Sequence, residues 1–382
     1  MRMSTAVREL NDSAPAASGA AVITNIMATA ATTLLASAAA KIGWRSTSRS
    51  GRAASSVSPP ARRTPTRRSD AERFIINALQ GWRNGTSMIW AIEHDGRFAG
   101  SIDLRGPGRI VDIGFGLHPD ARGEGLVRRA MVLAMQYAVD NRDVEVVRWE
   151  AAEGNLTSLR AAHAAGFTLV GRLPDWLEMN SGVVDAWCGK WHAGESFEPK
   201  TVWHATTFET ERFRLRPLEA KDDERIRETL DDPISRKYLF GRPDPLTVEH
   251  AAAERTRKWW TAARGETCTW AVADKETDHY LADISLFKID PVVGAEIGFY
   301  THPEARGAGV LGEAFPASVR HSFDVLGLRR LTMFAADSNE GSKRLALRAG
   351  FNEFGTQPLA ASSAGKIEDL LGYELLAEAG DQ

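Results

Sequence analysis

Two short runs in this chain carry residue types that can hold an anion. Arg122-Gly123-Glu124-Gly125 and Arg306-Gly307-Ala308-Gly309 each follow a His-Pro pair and lead straight into an apolar-periodic stretch. The first N–H groups of a helix have no partner inside it and carry partial positive charge. Glycines placed just before them let a ligand come close, and a pyrophosphate fits such a loop. Taken alone, a strand, a glycine turn and a helix can equally be a plain turn. The Gly-Lys-Ser/Thr of an ATP-binding loop and the third glycine of a dinucleotide fingerprint are both absent.

The two runs belong to a longer repeat. IGFGLHPDARGEG at 113–125 and IGFYTHPEARGAG at 297–309 stand in one register, which continues through Asn155 and Asn339, Ser158 and Ser342, Gly166-Phe167 and Gly350-Phe351, and Asp185 and Asp369. A gapless register of that length means two copies of one fold. In the first copy the periodicity predicts a helix over 69–82, a hairpin of 88–93 and 97–104 turning at Asp95-Gly96, and a strand over 110–117. Leu126, Ala130, Leu133 and Tyr137 mark the buried face of the next helix. A strand over 144–152, a short helix opened by Asn155, and closing strands near 168–177 and 183–191 follow. The second copy repeats this order behind a strand over 213–217 and a helix near 222–230. Strands with helices interposed make the fold class α/β. The front of the first copy has no clean counterpart: Val7-Arg8-Glu9-Leu10 is the nearest match to the strand at Leu215.

These residues resemble the GNAT superfamily of acyl-CoA-dependent N-acyltransferases. The loop resembles that family's pyrophosphate loop, and Asn155, Ser158, Gly166, Phe167 and Gly171, with Asn339, Ser342, Gly350, Phe351 and Gly355, resemble its second signature. Thr210 to Pro217 looks like the branch that acetylates ribosomal-protein N-termini and small amines. The resemblance implies two tandem domains, each a mixed, mostly antiparallel twisted sheet flanked by helices. It implies acetyl-CoA as cosubstrate, no metal, and transfer of an acetyl group to a primary amine on a protein N-terminus or a small molecule. It places acetyl-CoA on Phe115, Leu117, Arg122, Gly123, Gly125, Leu126, Val127 and Asn155 of the first copy. In the second copy it uses Phe299, Tyr300, Thr301, Arg306, Gly307, Ala308, Gly309, Val310, Leu311 and Asn339.

On this reading Asp112 and Glu296, at matching strand positions, are the candidate bases that deprotonate the amine. An exposed strand carboxylate is the alternative. Ser158 and Ser342 are candidate donors to the leaving thiolate, or else helix-turn hydroxyls bonded to backbone. Asp185 and Asp369 contact a substrate amine or are hairpin charges, and His118 and His302 shape their loops. Val127 and Leu311 replace a smaller residue of the family loop, Glu124 sets an acid beside the phosphates opposite Arg128 and Arg129, and Pro316 interrupts its helix. The second copy, with an intact front and no acid in its loop, is therefore expected to carry catalysis. The alternative is that one or both copies are non-catalytic CoA-binding or interaction modules.

The remaining features set the surroundings. With 382 residues, 43% apolar and 25% charged, the chain has the composition of globular domains. Residues 1–68 hold ten Lys or Arg against two acids, +8, whereas the whole chain is −3. That segment reads as basic, low in complexity and disordered. The expected division is 1–68, a first domain 69–192, a linker 193–208 and a second domain 209–382, with an interdomain pseudo-dimer. The uncharged stretch 16–40 is too rich in Ala, Ser and Thr to favour lipid, so no membrane and a cytoplasmic place are expected. Nucleic acid is not an expected partner. Cys188 and Cys268 lack metal-ligand spacing.

Overall fold

The computed structural model describes residues 22–25, 68–179, 181–204, 206–239, 243–363 and 365–377. The chain divides into two compact units, residues 1–200 and 201–382.

In the first unit, among the described residues, seven strands form one sheet in the order β1-β2-β3-β4-β5-β7-β6. They are β1 (Val22–Asn25), β2 (Ser87–His94), β3 (Arg97–Arg105), β4 (Ile110–Leu117), β5 (Val146–Ala152), β6 (Thr168–Met179) and β7 (Gly182–His192). Helices α1 (Arg68–Asn84), α2 (Leu126–Arg142) and α3 (Leu156–Ala164) join them. Only β4 and β5 pair in parallel, because α2 must cross over between them. The β2–β3 turn has Asp95 and Gly96 at φ 51° and 70°, the left-handed pair that a two-residue hairpin requires. Residues 22–25 pair antiparallel with β2. They take the place in the sheet expected of the opening strand, while Val7 to Leu10 lie outside the described residues, as does most of the basic segment.

The second unit repeats the plan with more in front. Its order is β14-β15-β13-β12-β11-β10-β9-β8, built from β8 (Phe208–Glu209), β9 (Phe213–Arg216), β10 (Cys268–Asp274), β11 (Tyr280–Asp290), β12 (Gly294–Thr301), β13 (Arg330–Ala336), β14 (Asn352–Ser363) and β15 (Lys366–Leu376). Its helices are α4 (Asp223–Asp231), α5 (Pro233–Tyr238), α6 (Val248–Ala263), α7 (Val310–Asp324) and α8 (Glu340–Arg348). Both sheets are mixed and mostly antiparallel, as the repeat and the family resemblance require. Alternation along the strands sends Trp270, Val272, Ile284, Leu286, Ile297, Leu331 and Met333 into a core with Val310, Ala314 and Phe315 of α7. A smaller apolar cluster holds Ile226 and Leu230 of α4 and Ala251 of α6 against Ala271 and Tyr280. The unpredicted helix α5 has a plain local cause: Asp232 accepts N–H bonds from Ile234 and Ser235, and Pro233 opens the turn.

Candidate active site

In both units the parallel pair parts soon after it begins. β12 and β13 are in register only at Ala295–Leu331 and Glu296–Thr332; β4 and β5 hold from Ile110–Val146 to Ile113–Trp149. Beyond those pairs the sheet opens into a V, and Ile297 to Thr301 keep their hydrogen bonds to β11 on the other side alone. An extended group can add to such an edge as a further strand.

The open end of each V meets the glycine loop. Gly125 and Gly309 cap their helices in the left-handed region, at φ 69° and 75°, and Gly123 and Gly307 have φ 92° and 77°. A Cβ on Gly123, Gly125 or Gly307 would meet nothing within 4 Å, and one on Gly309 only Arg212 at 3.4 Å. The cradle is therefore open, and the leading N–H groups of α2 and α7 have no acceptor inside their own helices. Leu126 and Val310 are buried, at 1% and 3% exposed, and Leu311 packs against the core. Of the two residues expected to crowd the loops, Leu311 thus packs inward, while Val127 is half-buried. Pro316 lies inside a continuous α7, in its second turn, and does not interrupt the end that faces the loop. These features fit a pyrophosphate with an extended arm behind it.

The arginines of the two loops differ in their partners. Arg306 donates to Ser235 Oγ at 3.1 Å and stands 2.7 Å from Asp232, so it fastens the start of α5 to the end of β12. Arg122 is exposed. Arg128 turns away from the loop to Ala164 O at 2.6 Å and Glu198 at 2.8 Å; it does not offset Glu124, which has His94 Nε2 2.9 Å away instead. Sequence reasoning missed Arg212. Its guanidinium donates to Ala308 O at 3.2 Å, Gly309 O at 3.4 Å and Glu313 at 2.7 Å, tying down the carbonyl side of the second loop. Ala308 N is also taken, by Ala305 O. Burial pushes the Glu313 carboxyl up, but bonds from Thr210 Oγ1, Arg212 N–H and the Arg212 side chain together hold it below the usual range.

The candidate bases differ sharply. Asp112 accepts a fork from Arg148, Nε at 2.8 Å and Nη2 at 3.0 Å, across the β4–β5 pair. Those hydrogen bonds, more than the charge itself, raise the guanidinium above its ordinary value. Glu296, opposite Thr332, has one cation among the described residues, Lys288 Nζ, at 3.0 Å. Lys288 is 83% exposed along its side chain and Glu296 29%. Asn155 and Asn339 cap α3 and α8 by accepting from Ser158 N and Ser342 N. The two serines part company at their hydroxyls: Trp149 Nε1 donates to Ser158 Oγ at 3.0 Å, whereas the residue in register with Trp149 is Met333, which has no such donor.

Other expectations resolve as structure. His118 and His302 accept from Asp120 N and Glu304 N, both at 3.3 Å, and shape the loop entry. Asp185 and Asp369 each accept a backbone N–H at a strand bulge, from Asp175 at 2.8 Å and Leu359 at 2.9 Å. The donors, Asp175 and Leu359, have φ 49° and 55°, so the matching aspartates hold two strained turns. Tyr238 at the end of α5 donates to Ser338 O at 3.1 Å. With Arg306 at its start, α5 is thus fixed to both flanks of the opening. Among the described residues no group of three or more His, Cys, Asp or Glu is placed to hold a metal ion.

Comparison with known families decides what kind of site this is. The acetyltransferase (GNAT) domain matches residues 35–168 and again 212–352, more than half of the chain. The chain belongs to this family. Its two GNAT matches make it a tandem N-acetyltransferase family member. A putative ribosomal N-acetyltransferase of Bacillus subtilis, YdaF, is 29% identical over 169 residues, which is 44% of this chain and 92% of the relative. A putative phosphinothricin acetyltransferase of the same organism, YwnH, is 30% identical over 167 residues, 42% of this chain and 98% of the relative. Among solved structures, Mycobacterium smegmatis RimJ in complex with CoA-disulfide is 18% identical, covering 47% of this chain and 90% of its own, with a TM-score of 0.43. Acetyl-CoA is the cosubstrate of GNAT acetyltransferases, and the open glycine loops and parted strands described above suit it.

Proposed function

We propose that this chain transfers the acetyl group of acetyl-CoA to a primary amine, and that residues 201–382 are its catalytic unit. Acetyl-CoA supplies an acetyl thioester; everything else is the work of this chain's residues. The N–H groups at the start of α7 and those of Gly307 and Gly309 bind the pyrophosphate, in a turn whose carbonyl side Arg212 ties down. The free edge of β12 from Phe299 to Thr301 takes the extended arm and orients the thioester. Glu296 removes the proton that an ammonium must lose before it can attack, and the Ser342 hydroxyl donates to the departing thiolate.

The observation that carries this assignment is the contrast at the apex of the V. Asp112 is consumed by a two-bond fork, while Glu296 has a single solvent-exposed partner. Glu124 adds an acid to the first loop that the second lacks. The same contrast favours the second reading for residues 1–200 alone, a CoA-binding or interaction module without turnover. The acceptor is an amine on a protein N-terminus or a small molecule. The likeness to a putative ribosomal N-acetyltransferase supports the former, that to a putative phosphinothricin acetyltransferase the latter. A cytoplasmic place belongs to the same proposal; among the described residues no helix is long and apolar enough to cross a membrane. The test is thiol release with an amine panel for Glu296→Gln with Ser342→Ala, beside Asp112→Asn with Ser158→Ala. Loss in the first pair and retention in the second is expected; the reverse moves the active site to residues 1–200.

A further inference from the structure

A pocket of about 340 Å³ lies at the apex of the second V, lined by Lys288, Glu296, Arg330, Thr332, Phe334 and Phe354 among others. Its floor is aromatic, with Phe334 and Phe354 edge to face at 6.1 Å. Its charges are not equivalent. Arg330 is committed: it lies over the Phe354 ring at 5.6 Å and pairs with Glu374 at 2.8 Å. Among the described residues Lys288 pairs with one carboxylate, Glu296 at 3.0 Å, on a side chain 83% exposed.

Resting on the assignment of Glu296 as the base, we infer that this pocket seats the acceptor, and that Lys288 makes it prefer an amine with a carboxylate close by over the same amine without one. Lys288 Nζ stands where a substrate ammonium must stand to meet Glu296. An exposed ion pair contributes little, so the substrate ammonium displaces Lys288 easily. Displacement has a consequence for charge. Lys288, Arg330, Glu296 and Glu374 sum to zero, and a simple ammonium leaves the set at +1 with Lys288 unpaired. An acceptor that brings its own anion restores neutrality, because the flexible lysine needs only to swing from Glu296 to that anion. Phe334 and Phe354 accept a compact apolar body beside the two charged groups. Lys288 is well placed for this role: it sits at φ 51° in the irregular stretch of β11 between Phe287 and Asp290, where the strand aims a side chain out of the regular pleat. In residues 1–200 the strand positions matching Glu296 and Thr332 hold the Asp112–Arg148 fork, which leaves no such exchangeable cation.

The experiment uses the full chain with acetyl-CoA and two acceptors, phenylalanine and phenethylamine, which differ only in the carboxylate. Thiol release gives kcat and KM for the wild type, Lys288→Met and Lys288→Glu. The wild type is expected to favour phenylalanine in kcat/KM by about fivefold, the most that one exposed ion pair supplies. Lys288→Met should lose that preference mainly through KM, and Lys288→Glu should reverse it. Equal ratios in all three proteins, with turnover intact, overturn the inference and leave the proposed function standing. Turnover that survives Glu296→Gln with both amines removes the assignment of the base, and the inference with it. A wild type that acetylates neither amine excludes this acceptor class for the pocket.

Discussion

Asp112 and Arg148 face each other across the first parallel strand pair and lock in a two-point fork, Nε to Oδ1 at 2.8 Å and Nη2 to Oδ2 at 3.0 Å. The matching pair in the second unit, Glu296 and Thr332, cannot do this. The difference on the neighbouring strand therefore separates a carboxylate stapled by a fork from one paired with the exposed Lys288.

Removing each carboxylate should show the difference. Asp112→Asn should leave turnover unchanged and cost about 0.2–1 kcal/mol of stability, since the pair is about half exposed. Glu296→Gln should lower kcat by about 10²–10⁴-fold, the usual contribution of a positioned base. Steady-state kinetics and thermal melts of both variants check this.

At the loop, Gly309→Val should weaken CoA binding far more than Arg128→Ala. Gly309 sits at φ 75°, where a β-branched residue costs about 1–3 kcal/mol, and the new side chain would stand in the cradle. Arg128 is turned to Ala164 and Glu198, so its loss should leave CoA affinity within about twofold, a peripheral charge being screened by salt. Isothermal titration with CoA reads both; equal losses would count against the loop as the phosphate site.

Arg212 and Glu313 make the second loop sensitive to acid. The Glu313 carboxyl is held below its usual value near 4.5. The folded state thus favours the ionised form, and its contribution is full above that value and is lost as pH falls through the lowered one. CoA affinity and stability should both drop below about pH 4.5, and Glu313→Gln should flatten that part of the stability profile. Denaturant melts between pH 3 and 6 are the measurement.

His321 works in a higher range. It stacks on Phe208 at 4.2 Å, meets Thr206 Oγ1 at 2.9 Å, and burial keeps it below its usual value of 6.5 against the opposing pull of Asp324. His204, also lowered by burial first and by His321 second, shares the effect. The folded state prefers neutral imidazole, so its contribution is present above pH 6.5 and is lost as pH falls through the lowered value. His321→Asn should be less stable than the wild type at pH 8, with the gap closing by pH 5. Melting temperatures at the two pH values decide it.

Much of this protein was determined by its sequence. The repeat, the element order and the glycine loops are local in origin: side-chain period sets strand and helix, and a left-handed turn before a helix calls for glycine whatever lies around it. Asn155 and Asn339 as caps, and Asp95-Gly96 as a hairpin, follow the same short-range chemistry. Helix α5 went unpredicted because six residues are too short for periodicity to announce them, although its Asp232-Pro233 start is a local cap. What only the tertiary structure decided is which side chains meet across distance. Arg128 stood ready to offset Glu124 until Ala164 and Glu198 took it, and the pairing of Arg306 with Asp232 was equally hidden. Leu311 seemed obstructive until the core took it. Arg148 lies 36 residues from Asp112 and Arg212 lies 101 from Glu313, separations at which nothing in the chain's local pattern ties one residue to the other. Strand register brings the first pair together and the packing of α7 on β9 the second, and no local pattern announces either pairing.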